Sequence, residues 1–91
     1  MTHELKTVAP HFDNVKNGSK HFEIRKLDRD FKVDDFLVLQ EYEPIIGYSG
    51  RSVTVVVTHI LKDAFSYGLR RGYCIMSIWT CSIQPKYFPH E

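Results

Sequence analysis

Gly18-Ser19-Lys20-His21-Phe22-Glu23-Ile24-Arg25 is the stretch in which this chain changes its period. Before it, Phe12 and Val15 stand at i, i+3. Pro10 suits a first helical turn and Gly18 sits where a helix-ending glycine belongs, so residues 10–17 are expected to form one short helix. Ala9 offers no side-chain acceptor to cap it. Asn17-Gly18-Ser19 has the letters of a glycosylation sequon but reads better as the turn that ends this helix. From His21 onward, apolar and polar residues alternate. Phe22 and Ile24 fall on one face and His21, Glu23 and Arg25 on the other, the pattern of a half-exposed strand with a polar face.

Working outward, Leu5 and Val8 are expected to pin the N-terminal segment to the core. Val33-Asp34-Asp35 reads as a tight turn into a second strand over residues 36–43. Residues 44–50 form a hairpin loop with two glycines. Residues 52–61 hold Val53, Val55, Val56, Val57 and Ile60, valines on both parities, which predicts burial on both faces. A loop over residues 62–72 has a helical turn near Phe65. A last strand runs over residues 73–83, and residues 84–91 are a tail. One short helix followed by four or five closely spaced strands predicts an α+β domain: a small barrel with the helix near its mouth.

The composition agrees with one globular domain over residues 1–91. The 91 residues are 43% hydrophobic and 25% charged, which argues against disorder, collagen and coiled coil. No segment has the 18 or so consecutive apolar residues of a membrane span, and the first six residues lack the apolar core of a signal peptide, so a cytoplasmic protein is expected. The two cysteines, Cys74 and Cys81, lie in one β-rich run. They would sit roughly 20 Å apart along one strand, too far to pair, and free thiols fit a reducing compartment.

The formal charge of +1 conceals an uneven spread. Residues 16–32 carry six cations (Lys16, Lys20, Arg25, Lys26, Arg29, Lys32) against three carboxylates, a local +3. Residues 34–63 carry five carboxylates against two cations, a local −3. The basic half is where helix, glycine turn and polar-faced strand meet. A lysine, a carboxylate and an arginine converging there can hold a phosphate and read a base edge. The same pattern also fits a solvated strand with a Glu23–Arg25 ion pair.

The stretch from Gly18 to Arg25 resembles the G-x-K-x-x-x-x-R motif of the ASCH domain, a member of the PUA-like superfamily. Asp30-Phe31-Lys32-Val33-Asp34-Asp35-Phe36-Leu37 resembles the F-x-x-G-D-x-L turn that follows it, with Asp34 in place of the usual glycine. More narrowly, His3-Glu4-Leu5-Lys6, Phe22-Glu23-Ile24-Arg25-Lys26, Asp28-Arg29-Asp30-Phe31, Tyr48-Ser49-Gly50-Arg51 and Tyr67-Gly68-Leu69 resemble a subfamily of short bacterial and phage proteins. The resemblance covers about residues 2 to 80. It implies a small PUA-like mixed β-barrel of about five strands with a cleft between helix and barrel, and recognition of RNA or a modified nucleoside there. Some ASCH proteins hydrolyse acylated cytidines with a lysine, a threonine three residues later and a downstream glutamate. Lys20 matches the first, Glu23 stands at the second, and the third is not placed, since after Glu43 the only glutamate is Glu91 in the tail.

Other constellations are weaker. Gly47-Tyr48-Ser49-Gly50 misses the G-x-S-x-G elbow by one position, so Ser49 is not expected as a nucleophile. His3, His11, His21, His59 and His90 show no paired spacing, so no metal is expected, and no cofactor. His59 and Trp79 are expected in the core. Tyr42, Tyr48, Tyr67 and Tyr73 are candidates to stack on a base. Arg70-Arg71 either extends a phosphate track or solvates a turn. The resulting expectation is a binding module for RNA or a nucleotide-sized ligand, single-stranded if a polymer, in a cleft flanked by Lys20, Glu23, Arg25, Arg29 and Arg51. The alternatives are a small amidohydrolase for an acylated pyrimidine nucleoside, in which Lys20 and Glu23 are the catalytic candidates, and a protein-interaction domain using the acidic middle or the aromatic tail.

Overall fold

A computed structural model describes residues 1–81. It contains five strands and one short α-helix in the order β1 (Thr2–Thr7), α1 (His11–Lys16), β2 (Phe22–Lys26), β3 (Phe36–Glu43), β4 (Gly47–Leu61) and β5 (Tyr73–Thr80), with a 3-10 turn at Phe65–Tyr67 before β5. The expected strand residues 82 and 83 and the tail lie outside the described residues. No helix among the described residues is long and apolar enough to cross a membrane.

The strands form one sheet in the order β1-β3-β4-β5-β2. β1 runs parallel to β3, from Thr2 opposite Phe36 to Thr7 opposite Glu41, and the other pairs are antiparallel. The sheet curls into a half-barrel, which leaves β1 and β2 as its two edges. Its inner face is a core of Leu5 from β1, Leu37 and Leu39 from β3, Val53, Val55 and Val57 from β4, and Cys74, Met76 and Ile78 from β5. Phe12 and Val15 of α1, both fully buried, complete it from the open side, and Phe31 joins from the β2–β3 connection.

Four expectations are corrected by the register. The N-terminal segment is a strand in its own right, because its inward residues His3, Leu5 and Thr7 alternate with exposed ones. Only one parity of the β4 valines is fully buried; Val56 is half-buried on the outer face, between Phe36 and Trp79. A register shift between Val57 and His59 reverses the alternation at that point. It carries His59 to the exposed face and brings Ile60 against the core. Trp79 likewise belongs to the outer face, 43% exposed, with its ring stacked on His21 at 5.3 Å.

β2 is inverted relative to its hydrophobic pattern. Phe22 and Ile24 are 46% and 49% exposed, and Glu23 is buried at 3%. The antiparallel register sets this, since Glu23 lies opposite the core residue Met76 while Phe22 and Ile24 lie opposite Ser77 and Ile75. Both cysteines are free thiols, Cys74 buried and Cys81 half-buried.

Candidate functional site

The glycine turn builds the site. Gly18 has φ +87°, a conformation that L side chains rarely adopt. The Asn17 side-chain oxygen accepts the Ser19 N–H at 2.9 Å, as the turn reading of this tripeptide requires. The Ser19 and Lys20 amides then both donate to the Asn14 carbonyl at 3.0 Å. These bonds fold the chain back along α1, so Lys20 emerges beside the helix at the start of β2.

A cavity of about 660 Å³ opens there, between α1 and the two sheet edges. β2 supplies Phe22, Glu23, Ile24 and Arg25; β1 and its end supply Lys6, Thr7 and Val8; helix and turn supply His11, Asn14, Ser19 and Lys20. Three of the five residues singled out in the sequence, Lys20, Glu23 and Arg25, therefore meet in one cavity.

Their geometry is specific. Arg25 Nε donates to Glu23 Oε1 at 2.9 Å, and Arg25 Nη2 donates to the Lys6 carbonyl at 2.9 Å and to Thr7 Oγ1 at 3.1 Å. One guanidinium thus joins β2 to β1 where no backbone ladder does. Lys20 Nζ lies 3.0 Å from His11 Nδ1 and 3.8 Å from Glu23 Oε2. With Lys20 an ammonium, His11 Nδ1 is the acceptor, so the imidazole hydrogen sits on Nε2. Glu23 Oε2 is buried and has no hydrogen-bond partner. The lysine lies over the face of Phe22, 5.0 Å from the ring centre. The site therefore offers an acceptor oxygen in want of a donor, two cations, and apolar walls from Val8, Phe22 and Ile24.

Arg29 and Arg51 lie outside this cavity. Arg29 pairs with Asp28 at 3.5 Å and lines a second cavity further along the β1–β2 gap. Arg51 is drawn away by the acidic middle of the chain. Its Nε and Nη2 each donate to a Glu41 oxygen at 2.8 Å, and Nη2 also reaches Asp13 at 3.0 Å. Arg51, together with the Ser49 hydroxyl, holds the Glu41 carboxyl down at about 2, and the carboxylates push the Arg51 guanidinium up in return. Ser49 is committed to that network. Among the described residues no group of three or more histidine, cysteine or acidic side chains is placed to hold a metal ion.

Lys6, Thr7, His11 and Asn14 carried no signal in the sequence. Lys6 and Thr7 reach the cavity because β1 pairs with β3 across the sheet, a long-range contact that no local spacing reveals, and His11 and Asn14 reach it from α1.

The family model described as a domain of unknown function (DUF3850) matches residues 2–78. The chain belongs to this family. The DUF3850 match spans every residue of the cavity and both outlying arginines. A relative from Escherichia phage P2, described as an uncharacterized 12.9 kDa protein in the GpA 3' region, is 38% identical over 58 residues. That alignment covers 64% of this chain and 52% of the phage protein, so the chain spans about half the length of this curated relative.

Proposed function

We propose that this DUF3850 domain is an ASCH domain of the PUA-like superfamily whose cavity binds RNA or a nucleotide-sized ligand. The observation that carries the reading is Glu23. Its Oε2 is buried without a hydrogen-bond partner, beside two cations, in a cavity large enough for a base. A buried polar atom left unpaired costs about 1–3 kcal/mol. The exocyclic amine of a base is the kind of donor that removes this penalty. Phe22, Ile24 and Val8 supply apolar cover for the ring. Lys20 and Arg25 supply donors to carbonyl or phosphate oxygens. The free thiols of Cys74 and Cys81 fit a reducing, cytoplasmic setting.

The test is a titration with short single-stranded RNA at several salt concentrations, using wild type, Lys20→Ala and the near-isosteric Glu23→Gln. Wild type binds with a shallow salt slope, worth about two to four phosphates. Both variants weaken binding while keeping the wild-type circular dichroism. Undiminished binding in the two variants, or none in wild type at low salt, overturns the reading.

One observation favours a second reading, hydrolysis of an acylated pyrimidine nucleoside. The cavity holds a lysine, a threonine hydroxyl and a carboxylate together, in Lys20, Thr7 and Glu23. The threonine comes from β1, and the carboxylate stands where the related hydrolases carry their threonine. Release of cytidine from acetylcytidine by wild type, abolished in Lys20→Ala, supports this reading; no turnover at high protein concentration removes it.

A further inference from the structure

We infer that the second cavity along the β1–β2 gap is a phosphate subsite, so that the ligand carries a phosphate next to its base. This rests on the reading of the first cavity as a base pocket. The second cavity has a volume of about 340 Å³ and shares the side chains of Lys6 and Arg25 with the first. Lys26 and Arg29 extend it, and Glu4 and Asp28 are its carboxylates. Arg25, Lys26 and Arg29 therefore face two carboxylates, while the Lys6 ammonium lies over the Tyr42 ring, 4.5 Å from its centre.

The two cavities differ in what they leave unpaired. In the first, the unpaired atom is an acceptor, Glu23 Oε2, and the Lys20 ammonium lies between that carboxylate and His11. In the second, the unpaired groups are donors. The Lys26 side chain has no hydrogen-bond or ion-pair partner among the described residues, and Arg29 is 41% exposed, with a 3.5 Å contact to Asp28 and its guanidinium 6.0 Å from the centre of the Phe31 ring. Arg25 stands between them. Its Nε and Nη2 are taken up by Glu23, Lys6 and Thr7, and its Nη1 makes no hydrogen bond among the described residues. A guanidinium with a spare donor suits a phosphate oxygen. A base and its phosphate are joined by one sugar, and the two cavities adjoin at Lys6 and Arg25, which line both. The charge pattern orients the ligand, base against Glu23 and phosphate against Lys26 and Arg29.

A mononucleotide and an RNA backbone both present such a phosphate. The test titrates wild type and Lys26→Ala/Arg29→Ala with the four nucleosides, their 5′-monophosphates, a hydroxyl-ended RNA hexamer and inorganic phosphate, following backbone amide resonances. Both substituted side chains are exposed, and circular dichroism checks the fold. For at least one base, the monophosphate is expected to bind at least tenfold more tightly than the nucleoside; the double variant erases that advantage and leaves nucleoside affinity unchanged. If the loss appears for the hexamer and not for the monophosphates, the phosphate belongs to an RNA backbone. Equal binding of nucleosides and monophosphates, with hexamer binding unaffected by the double variant, overturns the subsite. If no nucleoside binds but inorganic phosphate shifts the Lys26 and Arg29 amides, the subsite stands and the base pocket fails.

Discussion

Arg25 Nη2 lies 2.9 Å from the carbonyl oxygen of Lys6, and that bond spans the gap between the two edges of the sheet. The same guanidinium holds the buried Glu23 carboxylate. Removing it unties the edges and leaves a buried charge without its hydrogen bond. Arg25→Ala is therefore expected to cost about 3–5 kcal/mol in urea unfolding. The double variant Arg25→Ala/Glu23→Gln is expected to cost less than Arg25→Ala alone, because no charge is then orphaned. Equal losses would show that Glu23 draws little from the arginine.

Asp34 provides a different test. It has φ +78°, the left-handed region where a Cβ is penalised, and the resembling family carries glycine at this position. The conformation follows from its neighbours. The Asp34 amide donates to the Val57 carbonyl at 2.8 Å and the Val57 amide to the Asp35 carbonyl at 2.9 Å, so the backbone is held on both sides. Asp34→Gly is expected to stabilise by about 0.5–1 kcal/mol, after the entropy glycine adds to the unfolded chain, and Asp34→Val to destabilise by about 1–2 kcal/mol. Thermal melts read both, as opposite shifts of several degrees in Tm.

Acid should weaken the fold through Asp35. His3 Nε2 at 2.8 Å and the Lys32 amide at 2.9 Å donate to this carboxylate and hold it down at about 2, below its ordinary 3.8. A carboxyl lowered on folding stabilises above its unfolded value, and that contribution disappears as pH falls from about 4 toward 2. Urea unfolding between pH 7 and 2 is expected to show this loss. Asp35→Asn lowers stability at neutral pH and flattens the curve in that window. A parallel curve for the variant refutes the assignment.

The thiols give a chemical measure of packing. Burial pushes the Cys74 thiol up, and Cys74 is wholly enclosed in the core. Burial also raises Cys81, which is only half-buried. A disulfide reagent at neutral pH is expected to modify at most one thiol of the native protein, and both in denaturant. Rapid modification of both without denaturant would contradict the core as described.

Where the core is apolar, hydrophobic alternation reads through to the structure. The helix predicted for residues 10–17 forms at His11–Lys16, and the strand over residues 36–43 and the turn near Phe65 form as expected; the strand expected over 52–61 begins earlier, at Gly47, so the loop expected over 44–50 shrinks to the residues between Glu43 and Gly47. The reading fails at the two edges. β1 turns His3, Leu5 and Thr7 inward, and only Leu5 among them is hydrophobic; His3 is buried because Asp35 meets it. β2 turns Glu23 inward and Phe22 and Ile24 outward, so its apolar face is the wrong guide. Hydrophobicity marks the inside only where the inside is dry. Lys20, Glu23 and Arg25 were legible as a group because one glycine turn and five residues of strand position all three. Arg51 is separated from them by Asp13 and Glu41, partners met only in three dimensions, and Arg29 lies beyond the end of β2, paired with its neighbour Asp28.

The single-guanidinium tie has a mechanical consequence. Among the described residues β1 is laddered only to β3 and β2 only to β5, so there neither margin of the cavity is held by backbone on its open side. The molecule is a split ring with a clasp. Small changes in strand twist can spread or tighten the slit without breaking a rung. On the proposed reading, a guest that took Arg25 from the Lys6 carbonyl would loosen the clasp as it entered, and its fit would be judged by a spring rather than by a mould.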